Sequence, residues 1–312
     1  MTKRSINRRE FIKKTAECAA YGAAGLALPG FIQGTAGATA DPDIVVAKGR
    51  PGLAAQGAVS ALGGMKRFVK EGDRVVIKPN MSFPNPPEWG TTTHPEVVQA
   101  LTHMCLEAGA SSVLVLDNPL RNAELCLERS GLRAACRDLP ETQSQALEDR
   151  RFYEEVKVPE GKELTSTLIM KEVLRSDVLI AAPVAKSHSA TGVSLSMKGM
   201  MGLIYDRRSF HLDMDLNTAI VDLCTVLKPH LTVVDASRVL STGGPGGPGK
   251  VIALETIIAS TDMVAADAMA VERGTWYGRK FKARQVKHIR MAHERGLGNM
   301  DVAAQTLKEV TL

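Results

Sequence analysis

The chain has 312 residues, 44% of them apolar, 4% aromatic and 23% charged, with a formal net charge of +5. Residues 1–40 carry six Lys/Arg against two Glu, a net of +4, which leaves about +1 for residues 41–312. With the basic balance confined to the N-terminus and few aromatic rings for bases to stack on, no nucleic-acid partner is expected.

Asn7-Arg8-Arg9-Glu10-Phe11-Ile12-Lys13 heads a cationic segment, an Ala/Gly-rich apolar stretch follows, and Ala38-Thr39-Ala40 offers small residues for cleavage. This layout resembles a twin-arginine export signal over residues 1–40. It implies the twin-arginine translocase as a partner and a periplasmic or otherwise extracytoplasmic location. It also implies export in the folded state, with an exported redox enzyme as a candidate partner. Residues 41–312 are long enough to bury a core as a single domain.

In chain order, Ile44–Ala47 reads as a short strand and Leu53–Val69 as a helix. Gly72-Asp73 turns into Arg74–Lys78, a β-branched run that reads as a buried strand stopped by Pro79. Pro95 suits the first turn of a helix over Glu96–Ala108, and Gly109 caps its end. Val113–Leu116 then completes a βαβ unit, which requires parallel strands. Residues 137–165 are polar, with one strand-like stretch at Tyr153–Val158, and read as an excursion from the sheet. A helix near Leu168–Arg175 leads to strand Val178–Ala181, and a helix at Leu216–Leu227 leads to strand Leu231–Val234. Strand Glu255–Ala259 precedes a helix from Asp262 to Arg273, and a last helix spans Ala283–Glu294. The pattern predicts an α/β fold, doubly wound, with a mainly parallel sheet and helices on both faces.

In open parallel sheets, ligands bind beyond the carboxyl ends of the strands. Polar residues gather there: Lys78 and Asn80 after one strand, Asp117 after the next, Lys186 and His188 after a third, and Asp235 after a fourth. The segment Pro183–Gly202 is the richest, with Thr191 as a potential helix N-cap and Ser194 and Lys198 on one helical face beyond it. Lys186 and His188 flanking a helix N-terminus suit a carboxylate or phosphate. His94 and His211 are placed to face the same edge, and with His188 and Asp117 or Asp235 they make a divalent metal a candidate cofactor. The Gly/Pro run Thr242–Lys250 lacks a phosphate-loop signature because Val251 follows Lys250; it reads as a connector, with a cover over the site as the alternative.

Cys105, Cys126, Cys136 and Cys224 remain after the leader, none in a C-x-x-C pair, so no iron–sulfur cluster is expected from this chain. Cys105 and Cys224 lie on apolar helical faces and read as buried free thiols; spacing leaves Cys126 and Cys136 open.

These residues also carry a resemblance. Lys78-Pro79-Asn80, Thr93-His94-Pro95-Glu96, Lys186-x-His188 with Thr191-Gly192-Val193-Ser194-Leu195-Ser196-x-Lys198, Phe210-His211, Lys228-Pro229-x-Leu231-x-Val233-Val234-Asp235 and Asp262-x-Val264-Ala265-x-Asp267 occur in order. The set resembles the domain of unknown function 362 family over nearly all of residues 44–300. Many members carry a cysteine-rich iron–sulfur segment; this chain does not. The resemblance implies no established reaction.

The leading expectation is an exported enzyme of unknown reaction acting on a small anionic or carbonyl-bearing compound. His188, Lys186, Lys78 and Asp117 are the candidate catalytic residues. Asn80, His94, Thr191, Ser194, Lys198, His211 and Asp235 are the candidate ligand-binding residues. The competing class is a non-catalytic ligand-binding or maturation protein serving an exported redox enzyme.

Overall fold

Side chains along the central strands alternate between two cores. In the run Val75-Val76-Ile77, Val76 enters one apolar cluster while Val75 and Ile77 enter the other. The same alternation separates Leu179 and Ala181 from Val178, Ile180 and Ala182. A sheet buried on both faces follows from this period-two division. The computed structural model describes residues 41–312; the predicted export leader, residues 1–40, lies outside them.

The strands are β1 (Ile44–Lys48), β2 (Arg74–Pro79), β3 (Ser112–Asp117), β4 (Thr142–Ala146), β5 (Tyr153–Lys157) and β6 (Ser166–Met170). They continue as β7 (Val178–Ala182), β8 (Val184–His188), β9 (Gly192–Ser194), β10 (Leu231–Leu240), β11 (Val251–Ser260) and β12 (Leu307–Thr311). The main sheet runs β12-β1-β11-β10-β7-β2-β3-β4, with β8 pairing β10 and β9 pairing β8. Along this path only β11 runs against its neighbours; β10, β7, β2, β3 and β4 are mutually parallel. One face is covered by helices Pro51–Ala61 and Pro95–Ala108, the other by helices Leu216–Val226, Met263–Arg273 and Lys287–Glu294. The predicted α/β fold with a mainly parallel sheet is therefore the observed one.

Most elements fall where the pattern places them, and the departures have local causes. The first helix stops at Ala61 rather than continuing to Val69, because Gly63 and Gly64 adopt φ of +106° and +82°. Residues 137–165 are not wholly an excursion: Thr142–Ala146 joins the main sheet beside β3. Leu168–Arg175 is not a helix, since Ser166–Met170 pairs with Tyr153–Lys157 and only Lys171–Leu174 is helical. No helix begins at Thr191; β8 turns back through Gly192, at φ +78°, into β9, and the helix is the short Ser196–Gly199. The Gly/Pro run connects β10 to β11. Among the described residues no helix is long and apolar enough to cross a membrane.

Candidate functional site

Parallel strands that end together deliver their terminal side chains to one edge. Here β2 ends in Lys78-Pro79, β3 in Asp117, and β8 carries Lys186 and His188 just beyond the end of β7. These residues border a cavity of about 650 Å³, joined by Asn80, Ser194, Lys198 and His211. Eight of the eleven expected site residues thus line one cavity.

The other three stand outside the lining. His94 caps helix Pro95–Ala108, its Nδ1 accepting from Glu96 N–H at 3.2 Å. Asp235 accepts from the backbone of His94 at 2.8 Å and from Ser237 N–H at 3.0 Å, which ties β10 to the start of that helix. Thr191 donates its hydroxyl to Val193 O at 2.8 Å within the hairpin.

The floor is built from buried charge. Lys78 Nζ lies 3.2 Å from Asp117 Oδ1, and the Lys78 ammonium also donates to the Pro79 carbonyl. Asp117 Oδ2 accepts from Met81 N–H at 3.0 Å. Gly202 packs against the pair so closely that a Cβ there would stand 2.1 Å from Asp117 Oδ1 and 2.4 Å from Lys78 Cε. Asn80 Oδ1 accepts from Val184 N–H at 2.9 Å, joining the end of β2 to β8. Lys186 Nζ donates to Thr91 O at 2.8 Å and sits 5.4 Å from the centre of the Phe83 ring. The nearest polar contact of Lys198 Nζ is the Met201 sulfur at 3.6 Å, a weak acceptor.

Desolvation dominates the protonation of these groups. Burial pushes the Lys186 ammonium down to about 7; Asp117 opposes the fall, while Lys78, Lys198 and Arg207 deepen it. Burial, with Arg207, pushes Lys198 to about 7 as well. Lys78 is lowered by burial against the pull of Asp117. Burial and the neighbouring Lys198 hold the His188 ring far below its ordinary value, and His211, stacked on it with ring centres 6.0 Å apart, is lowered too. Because His188 Nδ1 accepts from Ala190 N–H at 3.1 Å, the neutral ring carries its hydrogen on Nε2. In that tautomer the Nε2 of His188, a residue that borders the cavity, carries an N–H rather than a free lone pair.

Sequence reasoning missed Arg207, whose guanidinium reaches the Asn118 carbonyl, and Arg121 and Arg208, which also border the cavity. The one available signal was the Arg207-Arg208 pair, which reads as exposed charge. Counting them, six Lys/Arg among the described residues line the cavity, against the carboxylate of Asp117 alone among those residues. The Gly/Pro run forms part of the wall: Pro245 borders the cavity, and Gly244 N–H donates to Ser187 Oγ at 3.1 Å.

Among the described residues, no three His, Cys, Asp or Glu side chains converge as metal ligands. Asp117 faces Lys78 and His94 is turned to its helix, so the expected His/Asp set is not assembled. Cys105, Cys126, Cys136 and Cys224 are all free and buried, and burial raises Cys105 to about 12.

The structure is thus an α/β domain with a mainly parallel sheet and a cationic cavity at the sheet's carboxyl edge. The sequence matches the family model described as Domain of unknown function (DUF362) over residues 75–272, and the chain belongs to that family. It is 27% identical over 225 residues to the thylakoid-associated protein sll1697 of Synechocystis sp. (strain ATCC 27184 / PCC 6803 / Kazusa), covering 69% of this chain and 68% of that one. Among solved structures it is similar to the lactate racemase apoprotein of Thermoanaerobacterium thermosaccharolyticum, with a TM-score of 0.44 and 11% identity. That match covers 70% of this chain but only 54% of the racemase chain.

Proposed function

We propose that this protein is an exported enzyme that binds a small anionic or carbonyl-bearing compound at the carboxyl edge of its sheet. The observation that carries the reading is the imbalance of charge around one cavity, six Lys/Arg against one carboxylate, with its lysines almost fully buried. Unpaired buried cations are costly, and an anion entering the cavity relieves that cost. Lys78, held by Asp117, and Lys186, held by the Thr91 carbonyl, serve as charge anchors. His188 donates Nε2–H to an oxygen of the ligand.

The proton-moving role falls to Lys198. Among the described residues its amine has no oxygen partner, and it stands near 7, so free base and ammonium are both populated at neutral pH. A desolvated free amine is also nucleophilic towards a carbonyl carbon. The twin-arginine pair Arg8-Arg9 supports export through the twin-arginine translocase to an extracytoplasmic compartment.

Native mass spectrometry with metal analysis, on protein purified from an exporting host, tests the reading. A stoichiometric anionic adduct that is lost in Lys186→Met is expected. A cationic adduct, or an anionic one retained in that variant, would contradict it. An enzyme further requires that Lys198→Met bind the same compound without converting it; a pure binder would show no conversion in either form.

A further inference from the structure

The cavity has buried charge at its floor and both leucine and arginine side chains at its mouth. Lys78, Lys186 and Lys198 at the floor are only 2%, 3% and 8% exposed. Leu120 and Leu212 border the same cavity and are 50% and 66% exposed, so they stand at its mouth. Single exposed leucines are common on protein surfaces and need no explanation. Here two of them border one cavity, whose lining also includes the apolar side chains of Phe83, Met201 and Pro245. Volume points the same way. A bare carboxylate or phosphate fills a small part of about 650 Å³, a space typical of ligands many atoms larger.

We propose that the ligand is amphipathic, an anionic head on the lysine floor with an alkyl or aryl substituent against Leu120 and Leu212. This rests on the anion-binding reading above and adds the class of substituent. The tail gains by removing its own apolar surface and that of the two leucines from water, while the head is held by the buried cations. Arg121 and Arg208 border the same cavity and are exposed, so the two leucines share its rim with charge and the substituent passes between them.

The test is a calorimetric series of straight-chain carboxylates, acetate, butanoate, hexanoate and octanoate, kept below their micellar range. Wild type, Lys186→Met and the double variant Leu120→Asn/Leu212→Asn are compared; both leucines are exposed enough for the double variant to fold. In wild type the dissociation constant should fall about three- to fourfold per added methylene until the mouth is filled. In the leucine variant acetate should bind as in wild type, while the dependence on chain length flattens. A flat series in wild type, or an unaltered slope in the leucine variant, overturns the amphipathic ligand. Retention of acetate binding in Lys186→Met overturns the anion site instead, so the two failures are distinguishable. Failure of every carboxylate to bind wild type overturns both.

Discussion

Lys78 and Asp117, at the ends of adjacent parallel strands, form an ion pair at 3.2 Å in which the two side chains are 2% and 0% exposed. Breaking such a pair from one side strands a buried charge, which costs about 3–5 kcal/mol. Asp117→Asn should therefore destabilise the protein by that order in urea unfolding. Adding Lys78→Met to Asp117→Asn should recover part of the loss, because the stranded ammonium is gone. A double variant whose loss equals the sum of the losses in Asp117→Asn and Lys78→Met would mean that the pair carries no coupling.

Gly202 is required by that pair rather than by a turn. The Cβ of alanine would lie inside contact distance of both Asp117 Oδ1 and Lys78 Cε. Gly202→Ala should cost about 1–3 kcal/mol through overpacking and weaken any ligand held by Lys78. Thermal melts beside a binding titration check both effects.

Lysines that stand near 7 in the fold and near 10.5 when unfolded resist protonation only in the native state. Between about pH 7 and 10.5 the unfolded chain binds more protons, so stability contributed by Lys186 and Lys198 rises with pH across that window. Ligand affinity runs the other way: an anion favours the ammonium, so binding should take up protons above pH 7 and weaken towards pH 9. Calorimetry in buffers of different ionisation enthalpy counts those protons. Zero uptake at pH 8 would show that the lysines are already charged.

His188 should stay neutral across pH 5 to 8, with its hydrogen on Nε2, because burial and the adjacent lysine oppose a second proton. Its unfolded form does protonate near 6.5, so its contribution to stability is lost as pH falls below that value. Nitrogen chemical shifts of the imidazole read the tautomer directly. An imidazolium signal at pH 6 would restore His188 as an acid/base group.

Export is testable without the fold. Arg8→Lys with Arg9→Lys should block translocation, since ammonium groups do not reproduce paired guanidinium recognition. Accumulation of the double variant outside the cytoplasm at the normal rate would contradict the leader assignment.

The strands were legible because β-branched runs such as Val75-Val76-Ile77 end at Pro79 or at a polar residue, and these stops mark the carboxyl edge. That edge in turn located eight cavity residues. The hairpin of β8 and β9 was not legible: Thr191-Gly192 reads as a helix cap, and only the left-handed Gly192 and pairing of Lys186 with Ser194 make it a turn. Strand β12 was missed because Leu307-Lys308-Glu309-Val310-Thr311 is mostly exposed and becomes a strand only by pairing with β1. Arg207 was missed because its partner, the Asn118 carbonyl, lies 89 residues away in sequence.

The central claim is that buried lysines at the sheet edge hold an anion. Calorimetric titration of wild type and Lys186→Met with acetate and inorganic phosphate, at pH 6.5 and beside thermal melts, tests it most directly. The account predicts at least tenfold weaker binding in the variant, about 1.4 kcal/mol. Its melting temperature should be equal or higher, because a costly buried amine has been replaced by an apolar side chain. Unchanged affinity for the bound anion in a folded variant would contradict it.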